Sequence, residues 1–220
     1  MNTKVKAVLA EYAAREEAER QAIRGFDNET YLLQRETMLL GIGPETGQCL
    51  NLLIKASLPK HIVEVGTAFG YSTFWLAEAA ASVGAIVTTY ELAPEKHAYA
   101  SEMIHKAGLE DHVRFVTGDA ISCLGEETAP VDFALIDLWK DLYIAALDLL
   151  YPRLSPGAIV CADNMLFPDY QREAAQAYIA HARDLPGIES VTLQVGSGVE
   201  FSILSTPREI THPVAAEPAK

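Results

Sequence analysis

Apolar side chains follow one rhythm before residue 60 and another after it. Met1–Arg24 is rich in Ala, Glu, Lys and Arg and reads as a largely solvated helix, with Val5, Leu9 and Tyr12 along one side. Thr30–Gly41 is expected to form a second helix. Gly47–Ser57 is expected to form a third, apolar at Cys49, Leu50, Leu52, Leu53 and Ile54 and ending before Pro59. From His61 the pattern shortens. His61–Val65 is a brief apolar run with β-branched residues, followed at once by Gly66 and Gly70. Ala85–Tyr90, Val113–Val116, Val131–Ile136 and Ala158–Cys161 have the same strand character. Helical stretches lie between or after them at Ser72–Ala81, Pro94–Ala107, Asp141–Tyr151 and Asp169–Asp184. Pro94 opens one of these helices and Gly108 closes it.

Strands separated by helices of this length make βαβ units, and so predict a doubly wound α/β fold with helices on both faces of a mostly parallel sheet. The end of the chain differs. Ile188–Val195, the turn Gly196-Ser197-Gly198 and Val199–Leu204 read as an antiparallel hairpin, bringing the sheet to seven strands. No repeat or linker interrupts the chain. Residues 1–204 are therefore read as one domain, with N-terminal helices over 1–57, a core over 61–204 and a flexible tail over 205–220.

Composition narrows the partners. The 220 residues are half hydrophobic, which suits one sizeable core. Lys plus Arg is 17 and Asp plus Glu is 30, a formal charge of −13. That balance disfavours nucleic acid and anionic membranes, whose phosphates call for clustered Lys and Arg. Cys49, Cys123 and Cys161 form no CxxC pair, so reduced thiols are expected rather than zinc or disulfides. Met1–Arg24 has no apolar signal region and no stretch is long enough to span a membrane, so a cytoplasmic protein is expected.

The candidate chemistry sits where strands end. Glu64-Val65-Gly66-Thr67-Ala68-Phe69-Gly70-Tyr71-Ser72 joins the first strand to its helix. Its G-x-x-x-G spacing departs from the G-x-G-x-x-G of a pyrophosphate site, and the acid ahead of it suits a cationic ligand such as a sulfonium. Glu91 ends the second strand, where acids bind ribose hydroxyls. Asp119 follows the third and is a candidate acceptor for an adenine amino group. Each of these two also fits a helix N-cap. The fourth strand runs into Asp137-Leu138-Trp139-Lys140, and the fifth ends at Asp163-Asn164. Asp137, Asp163 and Asn164 offer oxygen without His or Cys, which suits magnesium or another hard divalent cation. Asp163-Asn164 also fits a plain turn. Lys140 is a candidate base beside such a cation, or an ordinary surface lysine, and Trp139 covers an adenine or packs in the core.

Together these motifs resemble the cation-dependent class I O-methyltransferases, most closely the catechol O-methyltransferases, from about Leu40 to Leu204. The resemblance implies a Rossmann-like methyltransferase fold binding S-adenosylmethionine. It implies a donor site lined by Ile42, Glu64, Gly66, Tyr71, Ser72, Glu91, Ala120 and Trp139, with Asp119 beside Ala120 and Asp137 bordering donor and metal. It implies a metal on Asp137, Asp163 and Asn164, Lys140 as base, and an acceptor touched by Trp139, Lys140, Asn164 and Glu200. The acceptor it implies is a small aromatic with adjacent hydroxyls. Leu138 departs from the family, which often has a histidine there. Caffeoyl-CoA or flavonoid acceptors are the alternative within the same chemistry. A nicotinamide dehydrogenase and a non-catalytic adenosyl-ligand binder are the rivals outside it. The N-terminal helices are expected either to cover the acceptor site or to pair two subunits as a homodimer.

Overall fold

The structure, a computed structural model, describes residues 2–205. Helices α1 (Thr3–Ile23), α2 (Asn28–Gln34) and α3 (Gly43–Ser57) precede the first strand. Then come β1 (His61–Val65), α4 (Tyr71–Val83), β2 (Ile86–Glu91), α5 (Pro94–Ala107) and β3 (Val113–Thr117). These are followed by α6 (Ala120–Glu126), β4 (Val131–Ile136), α7 (Tyr143–Leu150) and β5 (Leu154–Ala162). The chain continues through α8 (Arg172–Asp184), β6 (Ile188–Leu193) and β7 (Val199–Leu204).

The strands make one seven-stranded sheet in the order β3-β2-β1-β4-β5-β7-β6. β1 to β5 are parallel, and β7 runs antiparallel between β5 and β6. The doubly wound α/β expectation holds, as does the terminal hairpin. Strand order reverses between β1 and β4, paired from Ile62↔Phe133 to Val65↔Ile136, and the carboxyl ends at such a reversal are where ligands bind in open α/β sheets.

Helices cover both sheet faces, which is why the central strands read as short, mostly apolar runs. Tyr12, Leu50, Ile54, Phe74 and Met103 from α1, α3, α4 and α5 pack on one face. Leu124, Tyr143, Leu147 and Tyr178 from α6, α7 and α8 pack on the other. α1 is bound to this core along Val5, Val8 and Tyr12. The Tyr12 hydroxyl donates to the Phe69 carbonyl at 2.9 Å, and its ring meets Tyr71 edge-on at 5.4 Å. Among the described residues, no helix is long and apolar enough to cross a membrane. All three cysteines are free thiols.

Several boundaries differ from expectation for local reasons. The helix expected over Thr30–Gly41 stops at Gln34 and relaxes through one 3-10 turn at Arg35–Thr37. Leu40 then takes a left-handed backbone (φ 45°), which no α-helix carries. α3 begins at Gly43 rather than Gly47, because Pro44 is tolerated in a first turn. β5 starts at Leu154, with Pro156 and Gly157 exposed where its register against β4 shifts. α6 was not anticipated: it has seven residues and buries only Leu124, too little for an apolar period to register. Of the tail expected to be flexible, residues 206–220 lie outside the described residues.

Candidate active site

The glycine loop closes the end of β1 against its neighbours. Gly66 and Thr67 both donate backbone N–H groups to the Tyr90 carbonyl, at 3.2 and 3.0 Å. At Gly66 (φ +105°) a Cβ would stand 2.0 Å from the Asp137 carbonyl oxygen. The loop crosses the end of β4 too closely for any side chain. Glu91 ties this loop to β2, its two oxygens accepting from Ala68 N and Ala93 N at 2.8 Å each.

Glu64 is fully buried below the loop. Its Oε2 accepts from the Thr73 and Thr89 hydroxyls at 2.5 and 2.6 Å, while Oε1 has no partner. Burial pushes its carboxyl up to about 7, opposed by the hydroxyls of Thr73 and Thr89 and by that of Ser72 nearby. Ile42, Tyr71 and Ser72 are buried at the starts of α3 and α4. Asp119 caps α6, accepting from Ser122 N at 2.7 Å, which holds its carboxyl below the usual range, and Ala120 is the first residue of that helix. Trp139 does not enter the core. It is 43% exposed, and the Arg35 guanidinium lies 4.6 Å over its ring.

The acidic rim is assembled from adjacent strand ends. Asp137 N donates to Val65 O at 2.9 Å and Asp163 N to Ile136 O at 3.2 Å, so β1, β4 and β5 are laced together just past their last paired residues. Asn164 adopts a left-handed backbone (φ 59°) immediately after Asp163. Asp163 is buried, and neither of its carboxylate oxygens has a hydrogen-bond partner. Burial pushes both the Asp137 and Asp163 carboxyls up. Asp137 raises Asp163 further by like-charge repulsion, and Lys140 opposes the shift in both.

Lys140 is only 6% exposed. Its Nζ donates to the Asp163 carbonyl at 2.7 Å and lies 3.6 Å from the centroid of the Tyr143 ring. Burial brings its pKa down to about 8, against the raising influence of Asp137 and Asp163. The surface-lysine reading of this residue is therefore set aside.

Among the described residues, no group of three or more His, Cys, Asp and Glu side chains is arranged to hold a metal. The rim instead pairs two carboxylates with an amide. A buried carboxylate with no donor on either oxygen is costly unless it takes up a proton or a cation meets it, and two carboxylates with an amide are oxygen donors that fit a hard ion.

Glu200 departs from its expected role. It is fully buried, and its carboxylate is taken up by Arg183 (2.9 Å), Ser190 (2.7 Å) and Thr192 (2.5 Å). Arg183 and Ser190 are both on Oε1 and Thr192 is on Oε2, so the carboxylate is committed chiefly to α8 and β6. Arg183 comes from α8, whose approach to β7 no local pattern announces. The site also recruits residues that sequence reading passed over. Tyr143 donates to the Asp163 carbonyl at 3.3 Å, and its place one helical turn after Lys140 was the available signal. Arg35 gave none, because it reaches Trp139 across about a hundred residues.

The model of one protein family, described as O-methyltransferase, matches residues 13–203. A catechol O-methyltransferase from Niastella koreensis is 34% identical over 131 residues, covering 58% of this chain and 59% of that protein. A probable O-methyltransferase from Mycobacterium tuberculosis is 31% identical over 180 residues, 77% of this chain and 74% of that one. A flavonoid 3′,5′-methyltransferase from Vitis vinifera is 29% identical over 157 residues, 68% and 66% of the two chains. Among solved structures, an O-methyltransferase from Bacillus cereus in complex with SAH superposes with a TM-score of 0.71 at 25% identity, covering 93% of this chain and 92% of that one.

Proposed function

Because the chain belongs to the O-methyltransferase family, we propose that it moves a methyl group from S-adenosylmethionine to one of two adjacent hydroxyls on a small aromatic acceptor, with a divalent cation, magnesium for preference, at the rim. The dehydrogenase alternative falls with that membership. The observation that carries the reading is Asp163, buried with both carboxylate oxygens unpartnered, while its carbonyl holds the ammonium of Lys140.

Asp137, Asp163 and Asn164 are the residues that would hold the cation, and when bound it supplies positive charge that makes neighbouring phenolic hydroxyls more acidic. Lys140 receives the proton of the attacking hydroxyl at Nζ. Its burial favours the neutral amine that such a base needs. The oxygen then forms its bond to the methyl carbon as the carbon–sulfur bond breaks, and S-adenosylhomocysteine leaves. The chain's task is alignment: Gly66 lets the backbone come close, while Glu64, Tyr71, Ser72, Glu91, Ala120 and Trp139 orient the donor. Glu200 has no part in this scheme.

A flavonoid acceptor is the second reading, favoured by the Vitis vinifera relative, since it too can present adjacent hydroxyls. A coenzyme A ester is disfavoured by the formal charge of −13, which repels phosphates.

The test is a methylation assay on the full chain with S-adenosylmethionine and 1,2-dihydroxybenzene, after chelation and again with magnesium restored. Expected is a monomethyl ether that forms only with the metal. Turnover indifferent to chelation would remove the cation from the account. No ether from any adjacent diol would remove the acceptor class.

A further inference from the structure

Arg35 stands at the site without a role in the chemistry above. It occupies the 3-10 turn Arg35–Thr37, and its guanidinium carbon lies over Trp139, 4.6 Å from the ring centroid. Trp139 is the residue next to Lys140, the candidate base, and the proposed scheme places its ring at the donor. Its Nε is buried with no hydrogen-bond partner, yet the side chain as a whole keeps 28% of its surface open. The neighbouring acid does not satisfy it. Glu36 Oε1 is 3.9 Å from that Nε, beyond hydrogen-bond reach, and Glu36 Oε2 is engaged by Lys96 at 3.3 Å.

Contact over the indole engages the face of the guanidinium, and with Nε buried the N–H groups left open are those of its two terminal nitrogens. Those donors lie in one plane, a fork that matches the two oxygens of a carboxylate. The indole holds the fork in a fixed orientation, so little side-chain entropy remains to be lost on binding. The rest of the molecule offers an anion nothing, since the formal charge is −13 and the rim itself is acidic. A fixed local cation at such a place acts by contact, and contact with a carboxylate is what its geometry suits.

We infer that Arg35 recognises an anionic substituent on the acceptor, so that the substrate class is an aromatic carrying two adjacent hydroxyls and a carboxylate. The inference rests on the functional reading above and deepens it. It makes Arg35 a specificity residue, with no part in moving the methyl group or the proton.

The experiment compares 3,4-dihydroxybenzoate, 1,2-dihydroxybenzene and 3,4-dihydroxyphenethylamine as acceptors for the full chain with magnesium, in the wild type, Arg35→Met and Arg35→Lys. The wild type is expected to prefer the benzoate to the amine. Arg35→Met should lower kcat/KM for the benzoate by roughly tenfold to a hundredfold, chiefly through KM, because a charge-assisted pair is lost. The uncharged diol should be almost unaffected, and Arg35→Lys should recover only part of the loss, having charge but no fork. A loss of equal size on all three acceptors overturns the inference, since Arg35 would then only shape Trp139. A rise in KM for S-adenosylmethionine overturns it too, assigning the guanidinium to the donor's carboxylate. Turnover of the neutral diol with no preference for the benzoate defeats this inference and leaves the functional reading standing. Failure to methylate any of the three defeats that reading and the inference with it.

Discussion

Lys140 Nζ donates to the backbone carbonyl of Asp163 at 2.7 Å, so the candidate base is fastened to the residue whose own carboxylate has no partner. One residue thus serves the site twice. Its main chain fixes where the amine stands, and its side chain waits for a positive charge. Removing the amine separates the two duties. Lys140→Ala is expected to lower kcat by about 10²- to 10⁴-fold, the range for a positioned general base, while the dissociation constant for S-adenosylmethionine stays unchanged. Stopped-flow turnover and calorimetric titration of the donor check the two halves. Because burial brings the amine down to about 8, kcat/KM in the wild type should rise with pH through about 8 and level off above it, and Lys140→Arg should abolish the rise.

Asp163 is predicted to be a liability to the metal-free fold. Its carboxylate is buried, unpartnered and repelled by Asp137. Asp163→Asn removes the repelled charge and should raise the melting temperature of the metal-free protein. It should also erase the further rise that magnesium produces in the wild type. Thermal melts with and without magnesium read both. A variant that melts lower than wild type and still responds to the ion would show that Asp163 is not a ligand.

Glu64 gives a pH-dependent stability whose sign is fixed by the direction of its shift. Its folded value, about 7, lies above the unfolded one, so the folded state holds the proton more tightly. The stabilisation is therefore complete below the unfolded value and is lost as pH rises through 7. Glu64→Gln keeps an acceptor for Thr73 and Thr89 and cannot ionise. Its melting temperature relative to wild type should climb between about pH 5 and pH 8. A difference that is flat across that window would remove Glu64 from the explanation.

Tyr12 links α1 to the glycine loop through the Phe69 carbonyl. Tyr12→Phe retains the ring packing and should cost about 1 kcal/mol in chemical denaturation. Because Phe69 lies in the loop between Gly66 and Gly70, the same variant should weaken donor binding several-fold while leaving acceptor KM alone. A variant with lost stability and unaltered donor affinity would make α1 a structural brace only.

Much of this was readable from the chain. The strands showed themselves because a parallel sheet covered on both sides turns each of them into a short apolar run, as at Ile62, Val63 and Val65, all wholly buried. Gly66 was legible because the close crossing at Asp137 permits no side chain. What stayed hidden depended on distant partners or on weak periodicity. Glu200 looked like a site acid until Arg183 arrived from α8 to neutralise it. Asp119 could be a ligand contact or a cap from sequence alone, and its bond to Ser122 N makes it a cap. Arg35 was indistinguishable from other charged residues in a helical stretch until the turn at Arg35–Thr37 laid it on Trp139.

The account depends most on a hard cation held at the ends of β4 and β5. The most direct measurement is anomalous scattering from crystals of the full chain grown with S-adenosylhomocysteine and soaked in manganese as a stand-in for magnesium. The account predicts one strong peak in contact with oxygens of Asp137, Asp163 and Asn164. An absent peak at full soak, or a peak elsewhere with those three side chains uninvolved, would contradict it.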